Sequence, residues 1–528
     1  MDLNNIQKDE KNDNSVQACK PPTNMHELTR AETNNLTKPA TNEKLQTETN
    51  NPRDSQRAED PYSIYSQKTK TFLIISVSFM AIISPLSSAV YLPAIPLISR
   101  DLNVSPSLIN LTITTYQIFQ GIAPSFIGTF SDTYGRRLAY IICGIIYLAA
   151  NIGLALNNTY VGLLVLRCLQ SCGSSATIAL GSATVADLVT RAERGKFIGY
   201  AGMGVTLGPT IGPVVGGLIS ENLGWKALFW FLAILSGVLF LLIFVFLPET
   251  CRSVVGNGSI PSPWWNMSLL AYIQHRRNPI GSSSEKPAAR KKRPNPFAAL
   301  KILLHRESGM LLGFGSLMYA GYFSVLTTLS NELSVRFGYS PVIIGLCYLP
   351  IGVGSITTRW TVGYLIDRNF KKHADKAGYE FTTNRQQDMS MLNVERARLE
   401  VSLPLIYLAC GVVLAYGWTM ESKSSLAGIE VTLFFIGMFF TGALNGLNVL
   451  VVDINSDTPA TAVAANNLFR CLISAGAVAI ATPMINRIGL GWMSVFIAGV
   501  WVIFSPCVWI IMLFGHKWRS GKGDRELC

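Results

Sequence analysis

Apolar runs long enough to cross a lipid bilayer recur along this chain and constrain its fold more than any other feature. A hydrocarbon core of about 30 Å requires about 20 apolar residues in a helix. Such runs lie at 71–93, 107–130, 137–156, 160–181, 197–220 and 225–247, and again at 309–329, 340–363, 402–419, 428–452, 462–485 and 491–514. The pattern predicts an all-α polytopic membrane protein with twelve transmembrane helices in two sets of six, and it excludes the soluble fold classes.

Charged residues are sparse and unevenly placed, which predicts an orientation. They make up 14% of the 528 residues, against about 25% in soluble proteins. Beyond the first 70 residues, 26 Lys and Arg fall on one side of the predicted bilayer and five on the other. The basic side is expected to be cytosolic. Both termini are therefore predicted to be cytosolic, in the plasma membrane or, alternatively, in a spore-forming or other internal membrane. The net charge of +12 reflects this topology, and no nucleic-acid partner is expected.

The same pattern divides the chain into five predicted segments. They are a disordered cytosolic N-terminal tail at 1–70, a six-helix bundle at 71–248, a basic cytosolic central loop at 249–308, a second six-helix bundle at 309–514 and a cytosolic C-terminal tail at 515–528. The first segment has no apolar run, so it cannot bury enough surface to offset its conformational entropy. In the central loop, Arg290–Arg293 either binds anionic lipid or is ordinary cytosolic-side charge.

A short loop sequence occurs at matching places in the two sets of helices. Residues 128–137 read GTFSDTYGRR and residues 363–372 read GYLIDRNFKK. The glycine lets two helices approach closely, and the carboxylates of Asp132 and Asp367 can cap a helix N-terminus and pair with the nearby cations. Two copies in register indicate a duplicated six-helix unit.

In these residues the chain resembles the major facilitator superfamily, whose loop signature is Gly-x-x-x-Asp-x-x-Gly-Arg-Arg/Lys. The first copy matches every key position, and the second lacks the later glycine. The resemblance implies the major facilitator fold, with two pseudo-symmetric bundles. It also implies that the motif gates the cytoplasmic side, so Asp132, Arg136, Arg137 and Asp367 are expected to act as conformational switches rather than substrate ligands.

The fifth run carries a stripe of glycines with two prolines. Residues 204–217 read GVTLGPTIGPVVGG. The stripe comprises Gly204, Gly208, Pro209, Gly212, Pro213, Gly216 and Gly217. Glycines four residues apart allow a neighbouring helix to pack closely, and the prolines are expected to bend the helix. The pattern also resembles the antiporter signature of the superfamily, Gly-x-x-x-Gly-Pro-x-x-Gly-Gly, and that resemblance implies export.

One arginine, Arg167, lies inside the fourth run, where a buried cation is costly and points to function. Residues 167–173 read RCLQSCG and resemble the Arg-x-x-Gln-Gly-x-Gly motif of the family, with Ser171 in place of a glycine. The resemblance implies a role in proton coupling, and a buried hydrogen-bond hub is the alternative. No Asp or Glu lies in the middle of a run, so the residue that carries the proton is not identified. Asp132 and Asp187 are the first candidates.

Two further segments resemble drug exporters of the superfamily. Tyr91-Leu-Pro93 ends the first run, and residues 464–471 read AANNLFRC, which resembles a fungal group that exports quinidine and other drugs, short-chain acids, polyamines or dityrosine. A transporter cavity needs sparse polar groups among aromatic walls near mid-depth. The candidates for that cavity are Tyr116, Gln117, Gln120, Gln170, Tyr319, Tyr322, Tyr348, Asn445, Asn448, Asn467 and Arg470.

These observations predict a secondary active transporter that exports small organic compounds in exchange for protons by alternating access. The alternatives are an importer of the same fold and a membrane receptor that does not transport. No nucleophile–base pair, phosphate loop or clustered metal ligands suggest an enzyme, a cofactor or a metal site, and the ten cysteines are dispersed. The expected partners are small organic substrates, protons and the lipid bilayer, and the chain is expected to function as a monomer.

Overall fold

The computed structural model of the chain describes residues 63–189, 191–260, 262–270, 272–273, 298–376, 378, 392–455 and 459–526. The predicted N-terminal tail up to residue 62 and the basic cluster Arg290–Arg293 lie outside the described residues.

The first bundle is built from six long helices. They are α1 (Gln67–Val90), α2 (Pro106–Tyr134), α3 (Arg136–Leu156), α4 (Tyr160–Leu188), α5 (Arg191–Leu223) and α6 (Trp225–Phe246). A short segment, Leu92–Asp101, continues α1 through a 3-10 turn and a further helical turn. Within this bundle α1 packs along α5, and α2 and α3 each pack along α4.

The second bundle has the same arrangement and is also built from six long helices. They are α7 (Arg306–Phe337), α8 (Pro341–Cys347 and Leu349–Lys376), α9 (Val394–Glu421), α10 (Leu426–Ile454), α11 (Pro459–Ile488) and α12 (Leu490–Phe504 and Pro506–Glu526). Here α9 and α8 pack along α10, and α7 packs along α11. Between the bundles, the described residues include short helical pieces at Arg252–Val255, Trp264–Asn266 and Ala298–Leu303.

Ten of these helical segments are long and apolar enough to cross a membrane. The segments α2 and α5 have the length but are not among the ten. Helix α2 is interrupted by polar residues such as Thr112, Gln117 and Gln120, which lower its mean hydropathy. The all-α polytopic fold is confirmed, while twelve crossings remain a prediction that rests on α2 and α5 also spanning.

Helix ends extend beyond the predicted apolar runs because polar first and last turns are also helical. Helix α1 begins at Gln67, inside the predicted tail, and α12 continues to Glu526 through the predicted C-terminal tail. Several ends carry ordinary caps. Ser105 accepts a hydrogen bond from the amide of Leu108 at 3.4 Å, and Gly338 ends α7 in the left-handed conformation, with φ of 68°.

We call the end of the helices that carries Asp132 and Asp187 the motif end, and the opposite end, which carries Ser105 and Trp225, the far end. The two bundles meet along two helix pairs, α2 with α11 and α5 with α8. Along the first pair, Asn110 donates to Thr482 at 2.7 Å near the far end, and Asn467 donates to the carbonyl of Gln120 at 3.1 Å near mid-depth.

Candidate functional site

A buried charge cluster at the motif end joins three helices of the first bundle. Arg136 begins α3 and forms ion pairs with Asp132 of α2 at 2.5 Å and with Asp187 of α4 at 3.0 Å. It also donates to the hydroxyl of Ser131 at 2.7 Å. The structure therefore brings together two predicted switch residues, Asp132 and Arg136, and a candidate proton carrier, Asp187, although the two aspartates lie 55 positions apart in the sequence.

Glu249, which sequence reasoning missed, caps the same cluster. Its carboxylate is 2% exposed and accepts hydrogen bonds from the backbone amides of Arg136 and Arg137, at 2.8 and 3.1 Å. Asn266 donates to it at 2.7 Å. Gly135 precedes them with φ of 113°, and any side chain there would collide with this carboxylate. The prediction that Asp132 caps this helix is wrong, because a carboxylate 113 positions after Arg136 occupies that place.

Arg137 is predicted as a switch residue, and its contacts tie α3 to the end of α6. Its guanidinium donates to the carbonyl oxygens of Phe244 and Leu247 at 2.9 and 3.1 Å. The last carbonyls of a helix have no partner within that helix, so a cation there satisfies them and also complements the helix dipole. Arg137 is 2% exposed, and Arg136, not Arg137, makes the ion pairs of the cluster.

The second bundle has a matching cluster, but its central cation is not the predicted one. Arg398 lies in the second turn of α9 and pairs with Asp453 of α10 at 3.1 Å and with Asp367 of α8 at 3.6 Å. Its guanidinium lies 4.0 Å from the centre of the Phe370 ring. Lys371 and Lys372, which follow Asp367 directly, are exposed. Arg398 therefore corresponds to Arg136, and Asp453 corresponds to Asp187.

The buried pair is the stronger half of each cluster. The side chains of Asp187 and Asp453 are 11% and 21% exposed, whereas those of Asp132 and Asp367 are 63% and 83% exposed. Exposed ion pairs contribute about 0–1 kcal/mol because water screens them, whereas breaking a buried pair leaves an uncompensated charge. The motif aspartates are thus the easily released partners, and Asp187 and Asp453 hold the arginines in place.

Cys251 lies beside the first cluster, with its thiol 3.7 Å from the carbonyl oxygen of Asp132 and 3.1 Å from the hydroxyl of Ser253. Burial raises the pKa of this thiol above its ordinary value. Cys251 as a whole is 2% exposed. Its thiol therefore stays protonated at neutral pH and unreactive while the cluster is intact.

Arg167 lies wholly inside the first bundle. Its guanidinium is held between the rings of Tyr91 and Tyr116, 4.1 and 4.4 Å from their centres, and donates to Gln170 at 2.6 Å. Gln170 in turn donates to Asn151 of α3 at 2.7 Å. The residue is 1% exposed, so this geometry is that of a hub joining α1, α2, α3 and α4.

Three residues predicted to line the substrate cavity are instead buried, each within its own bundle. Tyr116 and Gln170 are 0% exposed and belong to the surroundings of Arg167. Tyr348 is 2% exposed, and its hydroxyl donates to the carbonyl of Leu326 at 2.6 Å. Each lies at a depth compatible with a substrate site, but on the face of its helix that turns into the bundle.

The glycine stripe of α5 packs against both bundles. A methyl group at Gly208 would come within 2.9 Å of the Leu86 amide nitrogen, and one at Gly212 within 2.6 Å of the Ala89 Cβ, both in α1. Gly216 abuts the backbone of Val90, and Gly217 abuts Pro341 at the start of α8. The close-packing role is therefore observed for these four glycines. Helix α5 continues without interruption through Pro209 and Pro213, and Gly204 lies among residues of this helix whose surroundings are not described.

The remaining predicted residues gather where α2, α7, α10 and α11 meet. Gln117 of α2 donates to Ser474 of α11 at 3.3 Å and therefore bridges the bundles. The guanidinium of Arg470 in α11 lies 4.5 Å from the centre of the Tyr319 ring in α7. Asn448 of α10 accepts a hydrogen bond from Asn466 at 2.8 Å.

An aromatic group extends from this junction into the second bundle. Tyr322 stacks on Phe440 with the ring centres 4.0 Å apart, and Tyr319 contacts the same ring at 6.5 Å. Asn445 lies nearby on α10 and is exposed. Two apolar cavities of about 550 and 580 Å³ lie elsewhere, one lined by Trp492 and its neighbours, the other by Phe469 and its neighbours. Neither is lined by a residue predicted for the substrate cavity.

The sequence profile of the Major Facilitator Superfamily matches residues 77–479. MFS-type transporter R5 of a Phoma species is 47% identical over 474 residues, covering 89% of this chain and 90% of that protein. MFS-type transporter clz19 of Cochliobolus lunatus is 46% identical and covers 87% of each chain. Citrate exporter 1 of Aspergillus niger is 34% identical, with 88% of this chain and 90% of that protein covered.

Among solved structures, the human organic anion transporter MFSD10 (TETRAN) matches with a TM-score of 0.51 and 17% identity. The match covers 83% of this chain and 99% of that one. At this identity the likeness concerns the fold alone.

Proposed function

This chain belongs to the major facilitator superfamily of membrane transporters, and from that membership we propose that it exports small organic compounds in exchange for protons. Members of this family move small molecules across membranes and are not enzymes in general. Family membership supports transport of small molecules across a membrane. What we propose in addition is export, proton exchange, the class of substrate and location in the plasma membrane.

The main structural support for the proposal is the pair of matched charge clusters at the motif end. The ion pairs join corresponding helices of the two bundles, α3 and α4 through Arg136 and Asp187, and α9 and α10 through Arg398 and Asp453. Such clusters stabilise each bundle as a rigid body, and their exposed partners, Asp132 and Asp367, are free to exchange partners when the bundles rock. Two rigid halves moving about a central site is the basis of alternating access.

The contacts between the bundles support a conformation that is closed at the far end. The hydrogen bonds from Asn110, Gln117 and Asn467 run from the far end to mid-depth along α2 and α11. Along α5 and α8, Gly217 and Pro341 are in close contact near the far end. With the motif end cytosolic, as the loop charges predict, this arrangement would present the junction around Arg470 to the cytosol.

Two features support export over import. The glycine stripe of α5 matches the antiporter signature, and its last glycine, Gly217, contacts the second bundle directly. A relative that is 34% identical over most of both chains is named a citrate exporter. We extend export to this chain, which we propose acts as a monomer in the plasma membrane with both termini in the cytosol.

Proton exchange is assigned to the motif-end clusters. Protonation of a carboxylate paired with arginine weakens the pair, so Asp187, the buried partner of Arg136, is the residue where a proton would alter the cluster most. We propose that Arg167 is a hub that holds α1 to α4 together, because its guanidinium contacts two rings and the amide of Gln170 and forms none of the ion pairs found among the described residues.

Cellular retention tests this proposal. Yeast cells that express the full chain should retain less of at least one compound from a panel of citrate, benzoate, spermidine and quinidine than cells expressing Arg136→Gln at an equal level in the same membrane. Equal retention of all four compounds would contradict export of these substrate classes. Greater retention by the wild type would favour import.

A further inference from the structure

Among the described residues, no acidic side chain forms an ion pair with Arg470, a cation at the junction of the two bundles. Of the eight ion pairs among the described residues, none includes it. Its Nη2 donates to Asn467 at 2.9 Å, while its Nε is buried and has no hydrogen-bond partner. A charge at mid-depth in a membrane is costly unless something compensates it, and here the compensating anion is not supplied by the described protein residues.

The surroundings of Arg470 differ from those of Arg167, another arginine that forms none of the ion pairs among the described residues. Arg167 is 1% exposed and is enclosed by two aromatic rings within one bundle. Arg470 has one aromatic ring beside it, that of Tyr319, and it is only half-buried. Both arginines have a buried Nε without a hydrogen-bond partner among the described residues, but only Arg470 keeps part of its surface accessible.

Arg470 also lies where the bundles separate. Asn467, which accepts its hydrogen bond, donates to the carbonyl of Gln120 in the other bundle. Gln117, one turn away in α2, donates to Ser474, which is one turn beyond Arg470 in α11. A rocking motion that separates α2 from α11 would break these bonds, so the surroundings of this guanidinium change with the conformation of the transporter.

We propose that Arg470 binds the anionic group of the substrate, a carboxylate, and that the chain therefore transports organic acids rather than cationic drugs or polyamines. This inference rests on the proposed transport function. The guanidinium presents several donors in one plane, which suits a carboxylate. Tyr319 connects it to the stacked Tyr322 and Phe440, which offer an apolar wall for the body of the acid.

Repulsion between Arg470 and a cationic substrate would also favour acids over cations. A protonated amine placed beside Arg470 would face an uncompensated positive charge in a region of low dielectric constant, where repulsion is strong. Asn445, Asn448 and Asn467, which are predicted for the same cavity, are neutral amides and do not offset it.

The test is equilibrium binding to the purified full chain in detergent, with citrate and benzoate as acids and spermidine and quinidine as cations. Wild-type protein should bind at least one acid more tightly than either cation. Arg470→Gln should weaken acid binding about tenfold or more, the equivalent of about 1.4 kcal/mol. Arg470→Lys, which keeps the charge but not the planar donors, should weaken it less.

Arg487→Gln is the matched control, since this residue is an exposed arginine on the same helix, and it should bind acids as the wild type does. Thermal unfolding of each variant with no compound present identifies a folding defect. If Arg470→Gln unfolds at a lower temperature than the wild type, acid binding by Arg470→Lys is compared with acid binding by Arg487→Lys instead.

Unchanged acid binding in a folded Arg470→Gln, or preferential binding of a cation by the wild type, would overturn the inference. Failure of the broader transport proposal has a different signature, because acids would then bind in an Arg470-dependent way without any flux across a membrane.

Discussion

The carboxylate of Glu221, in the last turn of α5, accepts a hydrogen bond from the backbone amide of Val342, in the first turn of α8, at 2.8 Å. This bond joins the two bundles at the far end, next to the contact between Gly217 and Pro341. A carboxylate favours the N-terminus of a helix because the first amides there have no partner within the helix. The bond must break for the far end to open.

Replacing Glu221 should therefore loosen the far end. Glu221→Ala is expected to raise hydrogen exchange at residues 338–348 by about fivefold, as a net loss of about 1 kcal/mol implies. Glu221→Gln keeps an oxygen that can accept the bond and should exchange more slowly than the alanine variant. Mass spectrometry of both variants measures this, and equal exchange in wild type and Glu221→Ala would contradict a role in closure.

Arg136 and Arg398 are expected to be equally necessary for transport, because each occupies the centre of its cluster. Arg136→Gln and Arg398→Gln should each lower flux at least about tenfold, while the protein still reaches the membrane. Lys371→Gln, at the position that the repeat would make equivalent, should retain activity because that side chain is exposed.

Substrate flux per unit of protein at the membrane, measured in the same cells, gives the comparison. Loss of flux in Lys371→Gln together with activity in Arg398→Gln would show that the repeat in the sequence, and not the arrangement in the structure, identifies the second gate.

The errors of sequence reasoning at these clusters have a common physical cause. In the first loop the aspartate and its arginine are four residues apart, so a single motif contains both, whereas Asp367 and Arg398 are separated by 31 positions. Glu249 is farther still from the helix that it caps. Helical periodicity and charge patterns detect neighbours along one element, but they do not reveal which loop folds back onto which helix.

Depth in the membrane was predictable from the apolar runs, whereas the direction of a side chain was not. Tyr116 and Gln117 are adjacent in α2, yet the first contacts Arg167 inside its own bundle and the second reaches α11. Adjacent residues on a helix point about 100° apart, so a residue at the right depth can face either a cavity or a core. The position of Arg470 at the junction of the bundles depends on the packing of four helices.

The thiol of Cys251 should report on the first cluster. Its raised pKa keeps it protonated in the intact protein, so maleimide labelling at neutral pH should be slow and should rise with pH toward the thiol pKa. Arg136→Gln releases the ends of α2 and α4 and should expose the thiol, so labelling of Cys251, located by mass spectrometry, should accelerate.

The comparison with Lys371→Gln controls for a general change in the protein, since that position lies in the other bundle. Equal labelling of Cys251 in wild type and Arg136→Gln would mean that the cluster does not cover this thiol.

The proposed exchange of substrate for protons can be measured as flux in proteoliposomes. Vesicles containing the full chain are loaded in turn with citrate, benzoate, spermidine or quinidine, and the external buffer is made more acidic than the lumen. Substrate release and the pH of the lumen are followed together, with Arg136→Gln vesicles as the control. We expect the inward pH gradient to accelerate release of at least one compound, and the lumen to acidify faster as it leaves. Release coupled to alkalinisation of the lumen, or gradient-independent release of all four compounds, would contradict proton antiport.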